Sequence, residues 1–289
     1  MADTISLPRV TAAELIERYE VLLLDAYGVL VHGNGALPGA AEFIELLNRS
    51  GKPYYLLTND VAKLPATAAA RYRSFGLALD PEHIISAGAL LKEYFADHDL
   101  AAKRCRVLGP VDSLRYVEMA GGEVVGAGED FEVLVVADES GFPFLETVDQ
   151  VLTALFARVD RGLPLALVLP NPDLIFPTGT ASFGLAAGSI ALILEAALRL
   201  RYPHREELRF ARLGKPHSML FETALQRCGS RHMVMVGDQL QTDIRGANAF
   251  GIDSVLVTGG VSAAALALPG DGPLPTYILE SLAEPLDGP

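Results

Sequence analysis

The 289 residues, half of them hydrophobic and a fifth charged, are enough for two domains or for one domain carrying an insertion. A net charge of −13 argues against nucleic acid or an anionic membrane as partner, so any anionic ligand must be captured by a local positive group. Two distant cysteines and six scattered histidines exclude a disulfide framework or a zinc spacing, and no apolar run approaches the roughly 18 residues of a membrane span.

Met1–Thr4 lacks the basic-then-apolar start of a secretory signal, so the cytoplasm is the expected compartment. Thr11, with Glu14 three residues on, predicts a capped helix to Tyr19. Val21-Leu22-Leu23-Leu24 then reads as a buried strand that ends in Asp25, with Gly28 permitting a tight turn. His32 to Gly39 reads as a loop, and Ala40 to Asn48 as a helix closed by Gly51. Pro53 to Leu57 is a second strand, ending in Thr58-Asn59-Asp60, and the intervening helix makes the pair a βαβ unit with a parallel sheet.

The alternation continues with a helix over Thr67 to Phe75, a strand over His83 to Ser86 and a helix over Ala89 to Ala96. Further strands are expected at Val107-Leu108, Val124-Val125, Val133–Ala137 and Leu165–Leu169, with helices over Ser113–Ala120 and Thr147–Val159 between them. Pro170-Asn171-Pro172-Asp173 has turn chemistry throughout, and Ser189 is placed to cap a long apolar helix reaching about Leu200. In the last third, a strand over Leu208–Leu213 precedes Gly214-Lys215-Pro216 and a helix over Ser218–Arg227. Met233-Val234-Met235-Val236-Gly237 is a third strand that ends in a carboxylate, Asp238. A helix over Asp243–Phe250 and strands at Ser254–Val257 and Tyr277–Leu279 complete the chain.

Asp25, Thr58, Lys215 and Asp238 thus fall at strand ends or in the loops beside them. A charge at the end of a buried strand needs a cation or a ligand. Two carboxylates can hold Mg²⁺, which is satisfied with few protein ligands. One oxygen of Asp25 would remain to attack phosphorus, while Thr58 and the backbone amide of Asn59 could donate to phosphate oxygens and Lys215 adds a point charge. Phosphoryl transfer assisted by a hard cation is the chemistry that fits.

Asp25-Ala26-Tyr27-Gly28-Val29, Leu57-Thr58-Asn59, Gly214-Lys215-Pro216 and Gly237–Ile244 resemble, in order, the four motifs of the haloacid dehalogenase superfamily of phosphatases. Leu37–Ala40, Asn171-Pro172-Asp173 and Gly188-Ser189-Ile190 resemble subfamily IIA, the branch with a large C2-type cap that includes nitrophenyl phosphatase-like and pyridoxal phosphate phosphatase-like enzymes. The resemblance implies an α/β fold with a doubly wound parallel-sheet core over residues 1–87 and 206–289, and an α/β cap over 88–205. It implies that Asp25 is nucleophile and metal ligand, with the Tyr27 carbonyl, Asp238 and Asp243 as further Mg²⁺ ligands. Thr58, Asn59 and Lys215 would bind phosphate, and Asn171 and Asp173 would face the substrate, although Asn-Pro-Asp is equally a plain turn. Asp243 is also suited to the first turn of a helix. Caps of this type often pair, which implies a homodimer through the cap.

Tyr27 departs from the pattern. The superfamily's phosphatases have an aspartate there that protonates the leaving group and then activates water, help typically worth about 10²–10⁴ in rate. A phenol stays protonated near neutrality and is a poor base, so Tyr27 either donates a proton or plugs the pocket. Asp60 and Val61 likewise replace the branch's usual Asn and Ser. The expectation is a Mg²⁺-dependent phosphatase of a small phosphorylated metabolite, slowed by Tyr27. The alternatives are a phosphotransferase holding a phosphoaspartate and a weakened phospho-ligand-binding protein.

Overall fold

A computed structural model describes residues 7–179, 182–258, 261 and 272–283. Met1–Thr4, which bears on the secretory-signal reading, lies outside them. The Thr11 and Glu14 capping box opens α1 (Ala12–Arg18), each residue's side chain accepting from the other's amide. The fully buried β1 (Val21–Leu24) follows. The stretch read as a loop holds a small antiparallel hairpin, β2 (Val31–His32) with β3 (Gly35–Ala36). Next come α2 (Ala40–Ser50), β4 (Tyr54–Thr58), α3 (Pro65–Ser74) and β5 (Ile84–Ser86).

The middle of the chain runs α4 (Leu91–Asp97), β6 (Arg104–Leu108), α5 (Val111–Met119), β7 (Glu123–Val124), β8 (Val133–Val136), α6 (Phe144–Asp160) and β9 (Ala166–Leu169). Then follow β10 (Ile175–Gly179), β11 (Ser182–Leu185), α7 (Ala187–Arg201) and β12 (Ala211–Arg212). The last part is α8 (Met219–Cys228), β13 (Met233–Gly237), a π turn (Leu240–Ile244), α9 (Arg245–Phe250), β14 (Asp253–Val257) and β15 (Tyr277–Leu279).

Two parallel sheets result. The first has the order β15-β14-β13-β1-β4-β5 and the second β12-β9-β8-β6-β7. Both are layered with helices, the doubly wound arrangement expected of continuous apolar strands that are buried on both faces. In the first sheet β1 lies between β4 and β13, so the chain leaves it to one side and returns on the other. The crevice beyond the carboxyl ends of these strands is where such sheets hold ligands. Among the described residues, no helix is long and apolar enough to cross a membrane.

Two local readings are corrected, and one element is new. Only Ala211 and Arg212 remain of the strand expected over Leu208–Leu213, and they pair with Val168 and Leu169 in the second sheet. Ser189 is not a cap: α7 starts at Ala187, and the Ser189 hydroxyl donates to the Leu174 carbonyl at 2.6 Å. The start is set instead by Gly188, whose amide donates to the Asp173 carbonyl at 2.9 Å, where a Cβ would overlap the Pro172 carbonyl. Finally, β10 and β11 form a hairpin that the sequence does not announce, because Pro177 disguises an edge strand.

Candidate active site

β1 and β13 deliver Asp25 and Asp238 side by side. Their strands pair in parallel at Leu24 and Val236, and the Asp25 amide donates to the Val236 carbonyl at 2.8 Å. Asp243 arrives from the π turn, held by the Gln239 amide at 3.1 Å, and Gly237 permits its close approach because a Cβ there would strike the Asp243 side chain. Asp25, Asp238 and Asp243 are all buried, and each offers an oxygen within 4.8 Å of the others. Gly28, at φ +85°, packs its backbone on the Asp238 carboxylate where any Cβ would overlap it.

Lys215 is the local positive group that the net charge requires. Its ammonium, 2% exposed, contacts Asp25 Oδ1 at 2.6 Å, Asp243 Oδ1 at 2.7 Å and the Leu57 carbonyl at 2.8 Å. One lysine cannot neutralise three buried carboxylates. Burial pushes the Asp25 carboxyl up to about 7, with Asp243 adding to the rise and Lys215 opposing it. Burial, with Asp25 and Asp243 alongside, pushes Asp238 well above the carboxylate range, and Asp238 Oδ1 has no hydrogen-bond partner among the described residues. Burial alone would lower the Lys215 pKa, but Asp243 and Asp25 raise it, so it stays charged. An orphaned buried oxygen in a hard, oxygen-only donor set is what a small dication satisfies.

The cluster opens onto a cleft of about 210 Å³ lined by Asp25, Tyr27, Thr58, Asn59, Asn171 and Asp173 among others. The structure therefore brings all nine sequence-predicted residues to one place. The Asn59 side chain braces the site: its Oδ1 accepts the Lys215 amide at 2.8 Å, and its Nδ2 donates to the Lys215 carbonyl and to Asp173 Oδ1 at 3.1 and 2.9 Å. Asn171 Oδ1 accepts the Asp173 amide at 3.1 Å, which closes the Asn-Pro-Asp turn. Thr58 Oγ1 accepts the Asp60 amide at 3.1 Å, which leaves its own proton free to donate.

Tyr27 packs edge-on against Phe176 of β10, ring centroids 5.9 Å apart, and its hydroxyl makes no hydrogen bond among the described residues. Burial raises its pKa further from neutrality. Sequence reasoning passed over Lys63, Asp138, Glu139, Ser140 and Phe176, which also line the cleft. Asp138 and Glu139 follow the apolar Val133–Ala137 run just as Asp25 follows Val21–Leu24, and that shared pattern was the available signal.

Residues 22–123 match the haloacid dehalogenase-like hydrolase family, and residues 212–285 match a HAD-hydrolase-like family. Together the matches span more than half of the chain. The chain is 27% identical to the dihydroxyacetone phosphatase of Corynebacterium glutamicum, covering 92% of this chain and 90% of that one. It is 28% identical to the ribonucleotide monophosphatase NagD of Escherichia coli K12, covering 83% and 88%. A crystal structure described as a possible sugar phosphatase of the HAD superfamily, from Cytophaga hutchinsonii, superposes with a TM-score of 0.82 at 29% identity, covering 96% of this chain and 99% of that one. With the four motifs gathered at one crevice and family matches at both ends, the chain belongs to the haloacid dehalogenase-like hydrolases, in the capped branch of that superfamily's phosphatases.

Proposed function

We propose that the protein is a Mg²⁺-dependent phosphatase that cleaves phosphate monoesters of small metabolites through a phosphoaspartate on Asp25. The observation that carries this reading is the buried trio of carboxylates with an orphaned Asp238 oxygen beside the Lys215 ammonium. Asp25, Asp238, Asp243 and the Tyr27 carbonyl would hold the ion. When bound, it neutralises the carboxylates and polarises phosphate oxygens.

The chain's own groups do the rest. Lys215 occupies Asp25 Oδ1, and Oδ2, which receives no hydrogen bond from a described residue, is the nucleophilic oxygen. The Thr58 hydroxyl and the Asn59 backbone amide are the donors for the transferring phosphoryl group. Asn59 ties the Lys215 loop to Asp173, so the residues facing the substrate are positioned together with those at phosphorus. The cap expected over residues 88–205, with β12 on its sheet, would close the cleft and exclude water.

Phosphate release from a panel of small phosphomonoesters tests this reading. Turnover with Mg²⁺, none with EDTA and none from Asp25→Asn is expected, and turnover surviving in Asp25→Asn refutes the nucleophile. Tyr27 favours a second reading, a phosphotransferase that retains its phosphoaspartate, which intact mass after treatment with a phosphodonor detects. Pairing through the cap is proposed on the exposed Leu192, Ile193 and Leu200 of α7. Light scattering that gives a monomer mass refutes it.

A further inference from the structure

We infer that Glu139, on the loop after β8, is the proton-transfer residue of this site, standing in from the cap for the carboxylate that Tyr27 displaces from the core. The inference rests on the phosphatase reading above.

Five carboxylates line the cleft, and four are engaged. Asp25 contacts Lys215 at 2.6 Å. Asp60 pairs with Lys63 at 3.1 Å and accepts the Ala62 amide at 2.7 Å. Asp138 accepts the Ser140 amide and hydroxyl at 3.0 and 2.6 Å. Asp173 accepts Asn59 Nδ2 at 2.9 Å. Glu139 alone has no ion-pair partner and no side-chain hydrogen bond to another described residue. It is partly buried, and burial, with Asp138 and Asp60 adding repulsion and Lys63 opposing, pushes its carboxyl up to about 7. A carboxyl of that affinity near neutral pH holds and gives up a proton with little bias, which general acid–base transfer requires. The Tyr27 phenol, driven further from neutrality by burial, cannot act as the base.

The steps balance. Asp25 Oδ2 bonds phosphorus as the bond from phosphorus to the ester oxygen breaks, and the Glu139 proton passes to that leaving oxygen. In the second half, Glu139 as carboxylate takes a proton from water while the water oxygen bonds phosphorus and the bond from phosphorus to Asp25 breaks. Inorganic phosphate, the Asp25 carboxylate and protonated Glu139 are regenerated.

The test compares wild type, Glu139→Gln, Tyr27→Asp and the double variant, with Mg²⁺, on glycerol phosphate and on 4-nitrophenyl phosphate. The alkoxide of glycerol phosphate needs a proton to leave and nitrophenolate does not. In Glu139→Gln, kcat/KM for glycerol phosphate is expected to fall about 10²–10⁴-fold. With 4-nitrophenyl phosphate the same variant should give a burst of nitrophenol and a phosphoenzyme visible by intact mass. The fall of wild-type kcat/KM above pH about 7, where Glu139 loses its proton, should vanish with it.

In the Tyr27→Asp background the cost of Glu139→Gln should shrink below tenfold. A Glu139→Gln loss under threefold overturns the inference. So does an equal loss on both substrates in both backgrounds, which marks a structural role. A wild type inert on both substrates beside an active Tyr27→Asp overturns it too, while leaving the phosphatase reading standing. If neither of these turns over either ester, the phosphatase reading falls and this inference with it.

Discussion

Replacing Asp173 with asparagine removes a charge while keeping the oxygen that accepts Asn59 Nδ2 at 2.9 Å. Burial pushes the Asp173 carboxyl from 3.8 up to about 6, with Lys215 and Asn59 opposing the rise. A shift of roughly two units corresponds to about 3 kcal/mol of differential interaction. Solvent reaches part of the residue, and screening trims this to about 1–2 kcal/mol. Because the folded pKa lies above the unfolded one, the carboxyl stabilises the fold fully below pH about 4, and that stabilisation is lost as pH rises through about 6. Asparagine has no such loss. Melts in EDTA should therefore show equal pH trends for the two proteins below pH about 4. Above pH about 6 Asp173→Asn should gain about 2–6 °C over wild type. A difference that does not vary with pH, or a variant less stable at pH 8, would refute the argument.

Lys215→Met leaves Asp25 and Asp243 without their buried counter-charge, so chemical denaturation should show a loss of about 3–5 kcal/mol without metal, together with loss of turnover. Mg²⁺ at about 100 times its Kd should raise wild-type stability by about 2.7 kcal/mol, read as a melting shift, and Asp238→Asn should abolish most of that shift. Gly28→Ala meets both a φ of +85° and the Asp238 carboxylate. It should lose the Mg²⁺-induced shift and cost more than about 1 kcal/mol in denaturant, and wild-type behaviour would contradict the close packing described.

The parallel core was legible because its strands are buried on both faces and read as unbroken apolar runs, so Asp25 and Asp238 stand out as charges that such strands do not otherwise tolerate. Lys215 could be read from its glycine and proline neighbours, and its burial among acids follows from the same logic. The Asn59 side-chain brace could not be read, since its partners lie 114 and 156 residues away. The β10–β11 hairpin was hidden by Pro177, and the extent of the second sheet by the shortness of β12. Ser189 shows local capping chemistry overridden by tertiary packing, because Gly188 fits against the Pro172 and Asp173 carbonyls and fixes where α7 begins.

The edge-on pair of Tyr27 and Phe176 joins the β1 turn to the β10–β11 hairpin across the cleft, and Gly33 of the small β2–β3 hairpin lies against the Thr178 backbone beside it. An aromatic pair of this geometry is worth about 0.5–1.5 kcal/mol beyond the area it buries. An opening that separated the Tyr27 turn from the β10–β11 hairpin would give up that energy, a bias of roughly two- to twelvefold toward the arrangement described. A substitution at Tyr27 would therefore touch timing as well as chemistry. If release limits turnover, Tyr27→Asp should quicken it by losing this ring pair, and an unchanged rate of product release would refute that consequence.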